Sequence, residues 1–433
     1  MAKLAINGGT RVRTQEHLPW PRATAEDEQA VLEVLRDSQW CRISADRAHE
    51  FERKFADFQG ARYGVSLNSG TSALELGLLA MGLPPGGEVI VSPYTFMASV
   101  TSILVTRGVP VFVDIDPDTY NIDPDLIEAA ITERTFAIMA VHFGGRACDM
   151  QAILDIAKKH DLKVIEDTSH GHGATWNHQG LGCIGDVGAV SLGSGKNLSA
   201  GEGGILLTND EEVYWNAAQL HDLWTGGLVQ RSGDAGGGSF IAGKDWTFPQ
   251  AAPNYRLPEI LAALLISGLS RLEEETQTRA DNGRYLDDLL EASPLTGILR
   301  RDAYVTRNSH HIYTFKYKAE AFDGLPRERF VEAMVAEGIP VNIAYPRGCH
   351  KQPLFHEYKD NPAWPYNRFP VDSNIDYAAV ECPVTDYMCE NETIWLSGSY
   401  MLDAGREGMD QVAEAIDKVA ANKAELMGAV AAG

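Results

Sequence analysis

Residues 163–209 constrain the fold of this chain more than any other stretch. They read KVIEDTSHGHGATWNHQGLGCIGDVGAVSLGSGKNLSAGEGGILLTN. Three short apolar runs stand in it, each tied to a polar group. VIED stops at Glu166 and Asp167, AVS stops at Ser191, and GILLT follows a glycine-rich turn behind a single lysine, Lys196. Buried strands that stop at a carboxylate or a hydroxyl are how α/β proteins bring chemistry to the carboxyl edge of a sheet.

Lys196 follows Gly195 and precedes Gly201, Gly203 and Gly204. A Walker-type phosphate loop does not fit, because Val190 stands where glycine is required and Asn197 follows the lysine in place of serine or threonine. Pyridoxal phosphate does fit. An aldehyde cofactor needs an amine to hold it as a Schiff base, and its ring nitrogen needs an anion to stay protonated. Lys196 is the candidate amine and Asp167 the candidate anion. Each has an ordinary alternative, a solvated surface lysine and a strand-end cap. His170 and His172 invite a metal reading, but neither a third ligand at suitable spacing nor a cysteine pair accompanies them, so no metal is expected.

The surrounding sequence alternates strand and helix. YGVSLN leads into Ser69-Gly70-Thr71-Ser72 and then an apolar helix through Met81. The N–H groups and dipole at such a helix start favour an anion, with a plain N-cap as the alternative. VIVSP, PVFVDID and AIMAVHF alternate with helical patterns over 96–107, 124–131 and 149–160, which argues for a mostly parallel sheet covered on both faces. Earlier, Thr24-x-x-Asp27 reads as a capping box opening a helix with Val31, Val34 and Leu35 on one face. A second helix, carrying His49 to Phe58, ends near Gly60.

Beyond a helix from Asp210 to Leu220, residues 225–253 are glycine-rich and read as a flexible loop over the site. A long helical pattern from Leu257 to Leu290 leads to strand patterns at 311–317, 340–344 and 393–400. A helix over 327–337 and an amphipathic helix from Gly408 complete an α+β unit. The expected division is an N-terminal arm over 1–20, a large domain over 21–272 and a small C-terminal domain over 273–433.

Composition narrows the function. A net charge of −23 argues against a general nucleic-acid binder. No apolar run is long enough to span a membrane, and the opening MAKLAINGG has no signal-peptide core, so a cytoplasmic protein is expected. The six cysteines form no CxxC pair and read as reduced thiols, with Cys183 in a packing role.

Eight ordered segments carry a family resemblance: NSGTSAL (68–74), SPYTFMAS (92–99), VFVDID (111–116), VHFGG (141–145), EDTSHGHGA (166–174), GDVGAVS (185–191), GKNLSAGEGG (195–204) and NYRLPE (254–259). The chain resembles the DegT-type sugar and aminocyclitol aminotransferases among fold-type I pyridoxal-phosphate enzymes. The resemblance implies a seven-stranded, mostly parallel sheet plus a smaller α+β domain. It assigns Lys196 to the covalent link and Asp167 to the ring nitrogen. It gives Gly70, Thr71, Ser72 and Ser191 to the phosphate, Phe96 to the ring face and His170, where many relatives carry glutamine, to the ring hydroxyl. Asn254 matches a residue that serves the neighbouring subunit's cofactor, which implies a homodimer with shared sites. His142 reads as a core histidine outside the site.

The expected activity is transfer of nitrogen from glutamine or glutamate to a ketone. Dehydratase relatives replace the lysine with histidine, which Lys196 opposes. An aromatising enzyme of the aminoshikimate type, a nucleotide-linked keto-sugar aminotransferase and a non-catalytic cofactor-binding regulator are the alternatives. Nucleotide-sugar relatives carry His-Pro-Thr before the lysine, whereas this chain has Gly193-Ser194-Gly195. Arg347 and Lys351 begin no dense basic run of the kind a nucleotide diphosphate needs in so acidic a chain. A keto-cyclitol or free keto-sugar is therefore the expected acceptor.

Overall fold

The computed structural model describes residues 3–17, 19–221, 252–343, 345–356 and 375–427. The glycine-rich segment expected to cover the site lies outside the described residues except for Ala252 and Pro253.

Fourteen strands are described: β1 Tyr63–Leu67, β2 Glu88–Val91, β3 Val109–Phe112, β4 Thr135–Val141, β5 Lys163–Asp167, β6 Thr175–Trp176, β7 Gln179–Gly180, β8 Val187–Ser191, β9 Gly204–Thr208, β10 Thr296–Ile298, β11 Val305–Arg307, β12 Ile312–Tyr317, β13 Val341–Asn342 and β14 Thr393–Ser397. Seven form a central sheet in the order β1-β9-β8-β5-β4-β2-β3. The run from β8 to β3 is parallel, and β9 alone is antiparallel to both of its neighbours. Every residue of β2 and β9 is buried, as a sheet covered on both faces requires. The fold is that of an α/β protein with a large, mostly parallel sheet.

Register explains why the strand ends share one edge. Asp167 pairs with Ala189, so Ser191 lies two residues further along the adjacent strand. Gly204 faces Ser191 on one side and Leu67 on the other. A Cβ on Gly204 would stand 2.2 Å from the Ser69 carbonyl oxygen, so only glycine lets these three segments converge.

Helix α1 (Ala25–Asp37) begins at the expected capping box, Thr24 accepting from the Asp27 N–H and Asp27 from that of Thr24. Of the face read from sequence, only Val34 is fully buried; Leu35 stays 45 % exposed. Helical spacing fixed the shared face but not which part of it meets a neighbour. Helix α2 (Arg47–Gln59) ends at Gly60 with φ 86°. Helix α3 (Gly70–Ala80) and helix α4 (Met97–Val105) follow β1 and β2.

A second, antiparallel sheet has the order β10-β12-β14-β13. Its core includes Phe315, Leu396, Phe330 from the helix Arg327–Ala336, and Met409 and Val412 from the helix Gly405–Ala421. Leu4, from the expected N-terminal arm, is fully buried in this same core. The strand pattern over 393–400 stops at Ser397, where the chain turns into the short helix Gly398–Met401. The helix Glu259–Glu291 buries Leu265 and Leu272 against the large sheet's core and Leu286 and Leu290 in the small sheet's core. Strands β11, β6 and β7 form a small third sheet that periodicity did not reveal. No helix among the described residues is long and apolar enough to cross a membrane. All six cysteines are unpaired thiols.

Candidate active site

Asp167 ends β5 and is 6 % exposed. Its Oδ2 accepts from the Ser99 hydroxyl at 2.7 Å and its Oδ1 from the Ser169 N–H at 3.1 Å. Ser99 is itself buried and 2.7 Å from the Thr95 hydroxyl. These bonds hold the carboxylate at the sheet edge with no lysine or arginine within ion-pairing distance among the described residues. One turn before Ser99, Phe96 forms the N-cap of α4, and the Ser99 N–H donates to its carbonyl. Phe96 is 64 % exposed, the highest value among the large apolar side chains described. Core packing, the commoner fate of phenylalanine, is excluded.

The α3 terminus lies against the end of β8. Ser69 caps the helix by accepting from the Ser72 N–H at 3.0 Å, and the Ser72 hydroxyl donates to Asn68 at 2.7 Å. The N–H groups of Gly70 and Thr71 then have no acceptor within the helix, the arrangement that binds anions. A Cβ on Gly70 would sit 2.5 Å from the Ser191 Cβ, so the contact is closed to any other residue. Gly70, Thr71, Ser72 and Ser191 are therefore gathered into one seat.

Lys196 lies on the loop after β8, its N–H donating to the Gly193 carbonyl. Burial pushes its amine down from the usual 10.5 to about 8, against an opposing pull from the Asp167 charge. No ion pair among the described residues includes it. Around it stand three histidines. His170 is 9 % exposed, and its Nδ1 accepts from the Gly144 N–H at 3.2 Å, which leaves the proton of the neutral ring on Nε2. His172 donates from Nε2 to the Ser191 carbonyl at 2.8 Å, and its Nδ1 is buried without a partner. Burial and the neighbouring lysine charge hold both rings below the usual histidine range, His172 down to about 3. Both are neutral at physiological pH.

Two contributors were not legible in the sequence. His311, read only as the start of a strand pattern, packs against His170 with ring centroids 4.4 Å apart and the planes tilted by 37°, and is likewise held neutral by burial. The His310-His311 pair ahead of an apolar run was the available signal. Trp20 donates its indole N–H to the Lys196 carbonyl at 3.1 Å across 176 positions of sequence. Asn254, by contrast, is exposed and among the described residues its side chain bonds only within its own turn, accepting from the Arg256 N–H at 3.3 Å. The chain does not bring it into contact with the other candidates. It is tethered beside them, since the next carbonyl, that of Tyr255, accepts from the Asn68 N–H. His142 is fully buried between Glu166 and the Cys148 N–H. Cys183 is half-buried, with its thiol donating to two carbonyls and pushed up to about 12 by burial.

The donor set fits pyridoxal phosphate: an anion seat with no room for a Cβ, a buried carboxylate free of basic partners, an amine lowered to about 8 and an uncovered aromatic face. Comparison with known proteins points the same way. A family model described as the DegT/DnrJ/EryC1/StrS aminotransferase family matches residues 21–395. A Streptoalloteichus tenebrarius protein, provisionally named L-glutamine:3-amino-2,3-dideoxy-scyllo-inosose aminotransferase, is 34% identical over 97% of this chain and 98% of its own length. The L-glutamine:scyllo-inosose aminotransferase of Streptomyces griseus is 32% identical over 98% of this chain and 99% of its own. Among solved structures, 3-amino-5-hydroxybenzoic acid synthase superposes with a TM-score of 0.78 at 30% identity, covering 95% of this chain and all of that one. A Bacillus subtilis protein, NtdA, solved with its bound cofactor PMP, superposes with a TM-score of 0.73 at 26% identity, covering 94% and 86%.

Proposed function

Because the chain belongs to the DegT/DnrJ/EryC1/StrS aminotransferase family, we propose that it carries an amino group from glutamine or glutamate to the ketone of a cyclitol or free sugar. The general activity is that of an aminotransferase, with pyridoxal phosphate as cofactor. The observation that carries the acceptor is the near full-length similarity to relatives named for glutamine and scyllo-inosose. The charge at 345–351 supports the same choice over a nucleotide-linked sugar. Lys351 is held by Asp386 at 2.8 Å and so is not free for a diphosphate.

When bound, pyridoxal phosphate supplies an electron sink for the carbon that exchanges nitrogen. In this reading the chain does the rest. Gly70, Thr71, Ser72 and Ser191 seat the phosphate at the start of α3. Asp167, aligned by Ser99, holds the ring nitrogen's proton, and Phe96 covers one ring face. His170 offers its Nε2–H to the ring oxygen, as a neutral donor that needs no counter-charge. Lys196 would hold the cofactor through its amine and, as a free amine, would be the group that takes up and returns a proton. An amine near pKa 8 suits that double duty, since it is neither fully protonated nor weakly basic at neutral pH.

The assembly in this reading is a homodimer. Asn254 is exposed, and its side chain makes no hydrogen bond to its own chain's candidates, which suits a residue given to the partner's cofactor. The same reading divides the chain near residue 272, within the helix shared by both cores.

The test is direct. The purified enzyme is incubated with keto-inositols, free keto-sugars and dTDP- or UDP-linked keto-sugars, each with glutamine or glutamate, and amine products are followed by mass. Turnover of a keto-inositol or free keto-sugar is the expected result. Saturable turnover of a nucleotide-linked sugar alone would overturn the acceptor assignment.

A further inference from the structure

Lys196 sits in a loop without regular structure, between β8 and β9. A side chain on such a loop is placed only as well as its backbone is held. One tether is local, the Lys196 N–H on the Gly193 carbonyl. Two others come from far along the chain. The Trp20 indole N–H holds the Lys196 carbonyl, and the Asn197 side chain donates from Nδ2 to the Ser309 carbonyl at 3.0 Å. Asn197 and Ser309 are both buried, so little water competes for that bond.

Ser309 serves a second segment as well. Its hydroxyl donates to the His170 carbonyl at 2.7 Å. The chain is crowded at this point. A Cβ on Gly145, whose φ is 95°, would stand 2.1 Å from the Ser309 hydroxyl oxygen and 2.8 Å from the His170 carbonyl oxygen. The following residue, His310, has φ 44°, a left-handed conformation uncommon outside glycine, and its N–H donates to Asn308 Oδ1 at 2.9 Å. Such backbone persists only where its surroundings over-determine it. Ser309 is therefore a rigid post at the entrance to β12, with the lysine loop on its carbonyl and the His170 loop on its hydroxyl. Trp20 is fixed too. The Arg22 guanidinium lies over its ring, 5.6 Å from the centroid, and pairs with Asp403 at 3.2 Å.

We infer that Asn197 and Trp20 are positioning residues for Lys196: with Ser309 as the post, they hold the lysine loop at a set distance from the His170 loop. The inference rests on the assignment of Lys196 and His170 to pyridoxal phosphate. The aldehyde and the hydroxyl of that cofactor stand on neighbouring ring carbons. The amine that meets one and the Nε2–H that meets the other therefore need a matched spacing, and one anchor shared by both loops supplies it. Misplacing a reacting group by about 1 Å can cost roughly 100-fold in rate, so two hydrogen bonds on this loop bear directly on capture of the cofactor.

The experiment uses the full chain as apoenzyme. Asn197→Leu removes the donor at nearly constant volume, and Trp20→Phe removes the indole N–H while keeping a ring beneath Arg22. Each is made in the unaltered chain and in Lys196→Ala. Two quantities are read. One is the rate at which the borohydride-trapped adduct forms on Lys196, at saturating cofactor and above the midpoint near pH 8. The other is the affinity of the Lys196→Ala forms for pyridoxal phosphate, by equilibrium dialysis. Asn197→Leu should lower the rate roughly tenfold and Trp20→Phe roughly threefold, with both dialysis affinities unchanged. A residue that only supports the pocket would lower rate and affinity together. That parallel loss overturns the inference, and so does an unchanged rate in both variants. Should melting curves show Asn197→Leu unfolded, Trp20→Phe, at a half-buried ring, decides alone. An unaltered chain that forms no adduct on Lys196 refutes the cofactor assignment itself, and this inference with it.

Discussion

Lys196 should capture pyridoxal phosphate with a pH midpoint near 8. A lysine at its ordinary value of 10.5 would present almost no free amine at pH 7. Lowered to about 8, it presents roughly 300-fold more. The cause is burial, and the opposing influence is the Asp167 carboxylate. The assay mixes apoenzyme with cofactor from about pH 6 to about pH 10.5, quenches with borohydride at early times and quantifies the reduced adduct on Lys196 by peptide mass. The initial capture rate should rise to a plateau with its midpoint near 8. Asp167→Asn should move the midpoint lower, because it removes the charge that favours the ammonium. The same lowering has a sign in stability. Between about pH 8 and 10.5 the unfolded apoenzyme holds a proton on this lysine that the folded one has lost, so stability from this group rises with pH across that window. At pH 7 both states are protonated and the folded one bears the burial cost, about 3 kcal/mol as an upper bound. Lys196→Met apoenzyme should then be the more stable form at pH 7 and lose that advantage above pH 10.5. A capture midpoint near 10.5, or an adduct on another lysine, would refute the reasoning.

Other outcomes follow from single contacts. Phe96→Ala should leave the melting temperature of the apoenzyme within experimental error, because the ring is mostly exposed, while weakening cofactor affinity measured by equilibrium dialysis. Gly70→Ala brings a methyl against Ser191 and should cost at least tenfold in cofactor affinity, with a smaller loss for Ser191→Ala, which only removes a hydroxyl. Lys196→Ala and Asn254→Ala, each inactive alone, should regain activity when mixed and allowed to exchange subunits; full activity in a diluted monomer would rule out shared sites. Ser99→Ala should leave Asp167 short of one strong hydrogen bond and reduce kcat more than KM, and a change confined to KM would contradict its positioning role.

Much of this arrangement is legible along the chain because its signals are local. A run such as VIED buries its valine and isoleucine and ends in two carboxylates, so Asp167 at a sheet edge follows from a few residues. Ser69 to Ser72 announce a helix start in the same way, and Gly195 to Gly204 announce a glycine-rich turn. The eight ordered segments named the family for the same reason: each is short and continuous. Leu35 shows the limit, since spacing assigns a face but not what lies against it.

What packing alone decided are the contacts that join distant segments. Nothing near Lys196 in sequence foretells Trp20 on its carbonyl, nor does HIYTFKY foretell His311 packed against His170. The order β1-β9-β8-β5 sets Gly204 between Leu67 and Ser191, and that placement turns three separate loops into one seat. Secondary structure follows short-range periodicity and capping, which a linear chain carries in itself. Which strand lies beside which, and which buried atoms are left without partners, depends on how cores separated by more than a hundred residues fill one another's space.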